Sequence, residues 1–307
     1  GIRGYDVDKA YKYMVNSAEK FGNGERGYIP QGHSISKTLE LAYDEWALSK
    51  LAGWLGKTDD QAKYAKRALS YKNIWDPSVQ WFRPRMPDGS WAEWPKKGRL
   101  QLEFGTIESN PYQQGWFVPH DVPGMVKLMG GNQKVIADLN DMFEKTPNDM
   151  VWNDYYNHAN EPVHHIPFLF NRVGAPWYTQ KWTREICRRA YHNKVFGLVG
   201  NEDIGQMSAW YILAASGFHP VSPGETRYEI TSPVFKRITY KLDPKYARGK
   251  TFTVSAPNNS PQNVYIQSAR LNGKPYKKCY LDYKDITNGG TLQLVMGSKP
   301  NKSWGIN

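Results

Sequence analysis

The sequence holds only two cysteines in 307 residues, Cys187 and Cys279, far apart and with no CxxC or metal-ligand spacing near either. A disulfide framework is thereby excluded, and the count leaves the redox compartment open. Long apolar runs are also missing. Lys, Arg, Asn and Asp interrupt every hydrophobic stretch short of the roughly 20 residues that cross a bilayer, which predicts a soluble chain with no membrane span. The formal net charge is +11, yet the basic residues are scattered with no block of like charge. That distribution reads as a solvated surface and argues against a nucleic-acid partner. There is no alternating βαβ pattern and no Gly-rich phosphate loop, so nucleotide chemistry is set aside. The opening, Gly1-Ile2-Arg3-Gly4-Tyr5-Asp6, has neither a Met nor a signal peptide. It reads as the run-in to a helix, internal to a longer polypeptide.

What the chain has in quantity is aromatic side chains, with 12 Trp and 20 Tyr in a hydrophilic sequence. Flat rings stack on the apolar faces of sugars, but they also fill cores, and the count alone favours sugar binding only slightly.

Apolar spacing of i, i+3, i+4 and i+7 predicts helices from Asp6 to about Gly217. They cover Asp6–Lys20, Ser34–Leu55 with Ser34 as N-cap and a stop at Gly56, Asp59–Tyr71, Tyr112–Met129, Asn132–Phe143, Pro162–Val173, Thr179–Tyr191 and Gly205–Ala215. The Trp-, Pro- and Gly-rich stretch from Asp76 to Leu102 has no helical period and reads as a loop lining a cleft. Beyond Pro220 the period switches to two, as in Arg227-Tyr228-Glu229-Ile230 and Thr251-Phe252-Thr253-Val254. The expected architecture is a mainly α chain with a β appendage: a helical domain over 1–220 and a small antiparallel β domain over 221–307.

Three loop segments concentrate groups capable of chemistry. Asn201-Glu202-Asp203 places two carboxylates at a helix start. Acids there serve as ordinary caps, and a helix N-terminus also keeps a carboxylate ionised, as a general base requires. Glu108 follows the Trp-rich loop, and a carboxyl pressed among aromatic groups stays protonated to higher pH, as a general acid requires. Two acids with contrasting surroundings are the minimum for glycoside hydrolysis. The third segment, Asn157-His158-Ala159-Asn160-Glu161-Pro162-Val163-His164-His165, lacks the spacing of a zinc-protease pair. Oxygen donors from Asn160 and Glu161 suit calcium, and a capped helix with histidines bonding neighbouring loops is an equal reading. A Ser-His-Asp hydrolase is set aside because no Gly-x-Ser-x-Gly elbow exists.

Five ordered stretches resemble glycoside hydrolase family 92, the exo-acting α-mannosidases. They are HSISKTLELAYDEW from His33, WFVPHDVPGMVKLMGG from Trp116, HANEPVHHIPFLFNRVGAPWYTQ from His158, GNEDIGQMSAWYILAASGFHPVSPG from Gly200, and LNGKPY with NGGTLQLVMGSKPNKSWG near the end. The resemblance implies part of an (α/α)6 toroid, incomplete at its N-terminal side, followed by the β domain. It implies calcium-dependent, inverting release of mannose from non-reducing ends of α-mannosides or N-glycan mannose, of the α-1,2 type. Glu108 is then the general acid and Asp203 the general base. Asn160 and Glu161 are the calcium ligands, and His158, Ala159, Asn201 and Trp177 contact the sugar.

Two positions depart from the family pattern. Ala159 brings no side-chain polar contact to the leaving-group subsite, and Asn201 stands where relatives have Asp, so it supports Asp203 without charge. The family's N-terminal β-sandwich domain and its Trp-Asp-Thr-Phe-Arg motif are absent from the sequence. That domain is accordingly the expected protein partner, beside the mannoside substrate. The resemblance also implies a periplasmic, secreted or cell-surface location. A carbohydrate-binding module without turnover is the rival from a different class, and an acid and base retained together argue against it. A different α/α-toroid glycosidase is a further alternative.

Overall fold

The computed structural model of the chain describes residues 3–306, which fall into two compact units, one ending at Met129 and the other beginning at Gly130. Among the described residues no helix is long and apolar enough to cross a membrane.

The first unit rests on three helices: α1 (Val7–Phe21), α2 (Ser34–Trp54) and α3 (Thr58–Arg67). The Asp6 side chain starts α1 by accepting the Lys9 amide at 2.9 Å. Gly56 at φ +73° lets the chain leave α2 in a left-handed turn toward α3, as the sequence predicts. Tyr11, Leu48, Ala52 and Tyr64 bury one another where the three helices meet, and a buried leucine such as Leu48 contributes about 1.5–3 kcal/mol.

The predicted helix over Tyr112–Met129 is broken into α4 (Pro111–Gln114), a 3-10 turn at Pro119–Asp121 and α5 (Val122–Leu128). Pro119 and Pro123 are the reason, since neither ring can donate to a preceding turn and each restricts the residue before it. The Trp-rich stretch opens with a short hairpin of β1 (Trp75–Asp76) and β2 (Trp81–Phe82). Its rings then fold onto one another. Trp81 meets Trp116 at 5.3 Å, and the Arg99 guanidinium lies 4.6 Å from Trp81 and 3.8 Å from Tyr112.

The second unit begins with α6 (Asn132–Lys145), α7 (Leu169–Arg172), α8 (Pro176–Arg189) and α9 (Gln206–Ser216). The predicted helix over Pro162–Val173 is instead two 3-10 turns, Glu161–Val163 and Ile166–Phe168, leading into the four-residue α7. Pro162 and Pro167 interrupt the donor series.

Strands follow from Phe218. One sheet orders β3 (Phe218–Pro220), β4 (Arg227–Ile230) and β9 (Tyr280–Asp282). The other sheet uses β5 (Arg237–Lys241), β6 (Thr251–Ser255), β7 (Tyr265–Leu271), β8 (Lys274–Pro275) and β10 (Gly290–Gly297), with α10 (Tyr283–Thr287) just before β10. The β part is antiparallel, as expected, except at one pair. In the order β5-β6-β10-β7-β8, β10 is inserted between two oppositely directed strands and must match one of them, so it runs parallel to β6. Phe252, Val254, Leu292 and Leu294 form the shared core.

The change from helix to strand falls at Gly217, beside the predicted Pro220, but the strands do not stand apart from the helices before them. The Asn171 amide donates to the Ile230 and Cys279 carbonyls at 3.0 and 2.8 Å, and Gln180 accepts the Ile266 amide at 2.8 Å. Helices α6 to α9 therefore share one compact unit with both sheets. Cys187 and Cys279 are buried free thiols, each pushed by burial up to about 12, far from a reactive thiolate.

Candidate active site

Glu108 belongs to the first unit and is carried by a loop wrapped over the start of α2. The Gly105 carbonyl accepts the Ile35 and Ser36 amides at 2.8 and 3.2 Å, taking up two first-turn donors. His33 Nδ1 lies 2.9 Å from the Thr106 carbonyl, and the Ile107 amide donates to the Ser36 hydroxyl at 3.0 Å. Ser34, predicted as the N-cap, is already inside the helix, and the Glu108 loop does the capping in its place. Past the loop, Asn110 and Gln113 close a reciprocal capping box on α4.

On this fixed seat Glu108 adopts φ +51°, a left-handed conformation that non-glycine residues seldom take, and its side chain is exposed. That exposure differs from the aromatic enclosure expected around it. The Trp-rich loop turns its rings inward: the Trp81 indole donates to the Pro111 carbonyl at 2.7 Å, and Trp94 packs on Phe104 at 5.7 Å.

Asp203 lies in the second unit, in the turn before α9, and it too is exposed and left-handed, at φ +46°. The two adjacent acids divide their work. The Glu202 carboxylate takes the capping role, accepting the Gly205 amide and the Ser208 amide at 2.9 Å. The hydrogen bonds from Ser208 hold its carboxyl below the usual range. Asp203 is thereby left out of the cap with its side chain turned to solvent. Asn201, two residues before it, is also exposed.

The 157–165 loop meets the 200–206 turn inside the same unit. A side chain on Gly200, at φ +72°, would sit 2.5 Å from the Ala159 Cβ, so these backbones pack directly. His164 Nδ1 lies 3.2 Å from the Gln206 amide nitrogen, and the Trp210 indole donates to the His164 carbonyl at 2.9 Å. The structure thus gathers His158, Ala159 and Asn160 beside the turn that bears Asn201 and Asp203. Gly200 was not singled out by the sequence, although a glycine next to two acids is a mark of close backbone approach.

His158 is 0% exposed, with Tyr156 Oη 2.8 Å from Nδ1 and Tyr191 Oη 2.8 Å from Nε2. Burial pushes it well below the usual imidazole range, as it does His164, to about 4, and His219, to about 3. In this structure His158 is therefore an internal brace whose ring nitrogens both face tyrosine hydroxyls. Ala159 is likewise buried, and Trp177, at the start of α8, meets Tyr178 and the Lys302 ammonium 5.7 Å from its ring centre.

Asn160 and Glu161 are adjacent oxygen donors. Asn160 is buried and does not cap the 3-10 turn that follows it, and one Glu161 carboxylate oxygen is shielded from solvent. An amide and a carboxylate oxygen fit the chemistry of a calcium ion. Two side chains do not complete a shell of six to eight oxygens, and no group of three or more His, Cys, Asp or Glu suited to a metal occurs among the described residues.

Residues 1–298 match the glycosyl hydrolase family 92 catalytic domain, and the chain belongs to that family. It is 31% identical to an uncharacterized secreted glycosidase of Arthroderma benhamiae, over 98% of this chain and 43% of that protein. Among solved structures, the family GH92 α-mannosidase BT3965 of Bacteroides thetaiotaomicron is 36% identical with a TM-score of 0.89, over 100% of this chain and 41% of its own. The GH92 inverting mannosidase BT2199 of the same organism is 31% identical with a TM-score of 0.90, over 100% of this chain and 45% of its own. The chain spans less than half the length of these relatives.

Proposed function

We propose that this chain supplies the acid and the base of an exo-acting, inverting α-mannosidase, which releases mannose from the non-reducing ends of α-mannosides, N-glycans included, with α-1,2 linkage as its type. The observation that carries the reading is the shared stereochemistry of Glu108 and Asp203. Each is an exposed carboxylate held in a left-handed turn by hydrogen bonds that other residues supply. Strained, fully braced residues of this kind collect at reacting centres. The family membership suggests the reaction of the pair, since the solved relative BT3965 is an α-mannosidase and BT2199 an inverting mannosidase.

In this reading Glu108 donates its proton to the glycosidic oxygen as the bond to the anomeric carbon breaks. Asp203 takes a proton from the water that attacks the opposite face, so the anomeric centre inverts. Such a pair works at roughly 6.5–9.5 Å, leaving room for the water. Asn160 and Glu161 would hold a calcium ion, with backbone oxygens and water completing its shell. A bound ion would supply positive charge that helps orient the sugar's hydroxyls and favours a flattened ring. Asn201 and Trp177 would border the sugar, and His158 and Ala159 would act through the loop they brace.

The helices of this chain are read as part of an (α/α)6 toroid whose remaining wall, with a β-sandwich domain, comes from the rest of a family-length polypeptide. A secreted or periplasmic location follows the secreted relative. The test measures mannose release by this chain with and without that remaining polypeptide, and the anomer released by NMR. The expected result is weak or no turnover by the chain alone, β-mannose from the whole protein, and a loss on the order of a thousandfold or more for Glu108→Gln and for Asp203→Asn. Release of α-mannose, or near-normal turnover by either variant, overturns the assignment.

A further inference from the structure

The charge of the chain is unevenly divided. Residues 236–307 hold 13 Lys and Arg against 3 Asp, while residues 1–235 hold 27 basic against 26 acidic residues, so the segment from β5 onward carries +10 of the net +11. The excess forms no run of like charge, because its members are divided among strands and turns that only the fold brings together. The three acids are engaged by the backbone around them. Asp243 accepts the Lys245 amide at 2.8 Å, and Asp282 and Asp285 close a capping box on α10. Among the described residues, no Lys or Arg of this segment takes part in an ion pair.

Much of the excess borders one surface. The inner face of the five-stranded sheet packs Phe252, Val254 and Leu292 with Ile230 and Leu281 of the other sheet. Successive side chains alternate between the two faces, so the register fixes what the outer face presents. Arg237, Ser255, Gln293 and Arg270 stand side by side on four neighbouring strands, β5, β6, β10 and β7. Thr239, Thr253 and Thr291 make the row beside them, and the Thr239 and Thr253 hydroxyls meet at 3.0 Å. At ordinary strand spacing the backbones of the two arginines lie about 14 Å apart across the sheet. Lys241 ends β5 on the same face, the turn after it adds exposed Lys245, Arg248 and Lys250, and exposed Lys274 lies in β8 at the far edge.

We propose that this outer face is a docking surface for a polyanionic glycan, a mannan chain bearing phosphate esters. The basic edges hold the esters by charge, and the rows of hydroxyl and amide groups between them hydrogen-bond the sugars. Charge complementarity selects the esters, since the lysines and arginines of this segment have no acidic partner. The polar middle selects a glycan over other polyanions. Its two rows hold no aromatic ring on which a nucleic-acid base could stack. Among the described residues of the five strands, Val295 is the one exposed large apolar side chain, too little to enter a bilayer. Holding a polymer between successive cleavages suits an enzyme that removes one terminal sugar at a time. The inference deepens the mannosidase reading and rests on it for the choice of sugar.

The test titrates the full chain against a labelled mannan, and against the same mannan after chemical phosphorylation, by fluorescence anisotropy at low salt. The phosphorylated mannan is expected to bind at least about tenfold more tightly, and raising the salt to about 0.5 M should remove the difference. Arg237→Gln, Lys241→Gln and Arg270→Gln combined should weaken its binding by about tenfold or more. The control combines Lys9→Gln, Lys12→Gln and Lys20→Gln on exposed positions of α1, which lowers net charge equally and should shift binding by no more than about twofold. Arg270 also donates to the Gly273 carbonyl at 2.9 Å, so Gln293→Glu, at an exposed position in the middle of the face, serves as an independent variant. It should weaken binding by about threefold or more. No binding by the phosphorylated mannan, equal affinity for the two mannans, an equal loss in the α1 control, or indifference to both sheet variants overturns the proposal. So does tighter binding, at matched phosphate concentration, to phosphatidylglycerol vesicles or to duplex DNA, since the surface then serves a membrane or a nucleic acid. Every readout is of binding, and failure here leaves mannose release by the whole protein untouched, so the two readings fall separately.

Discussion

His158 Nε2 lies 2.8 Å from the Tyr191 hydroxyl, which itself donates to the Met207 carbonyl at 3.0 Å. A hydroxyl has one proton to give, so Tyr191 must accept from Nε2–H, and Nδ1 is left to accept from Tyr156. The chain of donors runs one way, from the 157–165 loop into the first turn of α9, next to the turn that carries Asp203. Tyr191→Phe breaks it at one atom and leaves the buried His158 donor unsatisfied, while the Met207 carbonyl keeps its place in the helix ladder. The expected destabilisation is about 1–3 kcal/mol, read from urea unfolding followed by far-UV circular dichroism. An unchanged midpoint shows that the relay carries no stability.

The buried histidines give the second unit a defined acid sensitivity. His164 is held at about 4 and His219 at about 3, both by burial, while an unfolded imidazole titrates near 6.5. Between these values the unfolded chain takes up protons that the folded chain refuses, so stability falls as pH drops from about 6.5 toward 4 and is fully present above that window. For His164 alone the loss by pH 4 is on the order of 2–3 kcal/mol. Unfolding midpoints taken from pH 7.5 down to 4.5 should decline steadily, and His164→Gln should flatten the slope while lowering stability at pH 7.5. A profile unaffected by that substitution places the sensitivity elsewhere.

The left-handed backbone at Glu108 predicts opposite effects on stability and activity. Glycine takes φ +51° without steric penalty, whereas a Cβ-bearing residue pays strain there. Glu108→Gly should therefore match or exceed the parent chain in stability, by up to about 1 kcal/mol, because the backbone strain is relieved at a residue whose side chain is exposed to solvent. In the family-length protein the same change should abolish mannose release. A clear loss of stability would mean that the side chain supports its own loop.

The extents of α1, α2 and α6 were legible in the sequence because their apolar periods are clear, and those of β4 and β6 because alternation and turn residues agree. Tyr112–Met129 and Pro162–Val173 misled because apolar spacing persisted through prolines that the backbone could not carry in a helix. Both acidic residues were visible as candidates, but their surroundings were not. Whether Trp81 and Trp94 turn toward Glu108 or toward Pro111 and Phe104 is decided by long-range packing, which no local pattern records. The division of labour between Glu202 and Asp203 was equally hidden, since either carboxylate at that spacing can cap α9. The burial of His158 was hidden for the same reason, because its two tyrosine partners come from separate segments.

One ion pair ties α7 to the strands of its unit and can be tested without any knowledge of substrate. Arg172 Nε donates to Glu229 at 2.5 Å and its terminal nitrogen to Glu225 at 2.6 Å, while Arg227 also binds Glu229 at 2.7 Å. Glu229 is fully buried, and the two carboxylates hold the Arg172 guanidinium above its usual range against the opposing effect of its own burial. Glu229→Ala leaves Arg172 as a largely buried charge without its deepest partner, and the expected loss is about 3–5 kcal/mol in chemical unfolding. Glu225, being partly exposed, is the control: Glu225→Ala should lose no more than about 1 kcal/mol. If both variants lose the same amount, the burial of Glu229 gives it no special weight in holding Arg172, and if that amount is small, α7 is fastened to the sheet mainly by the Asn171 hydrogen bonds to Ile230 and Cys279.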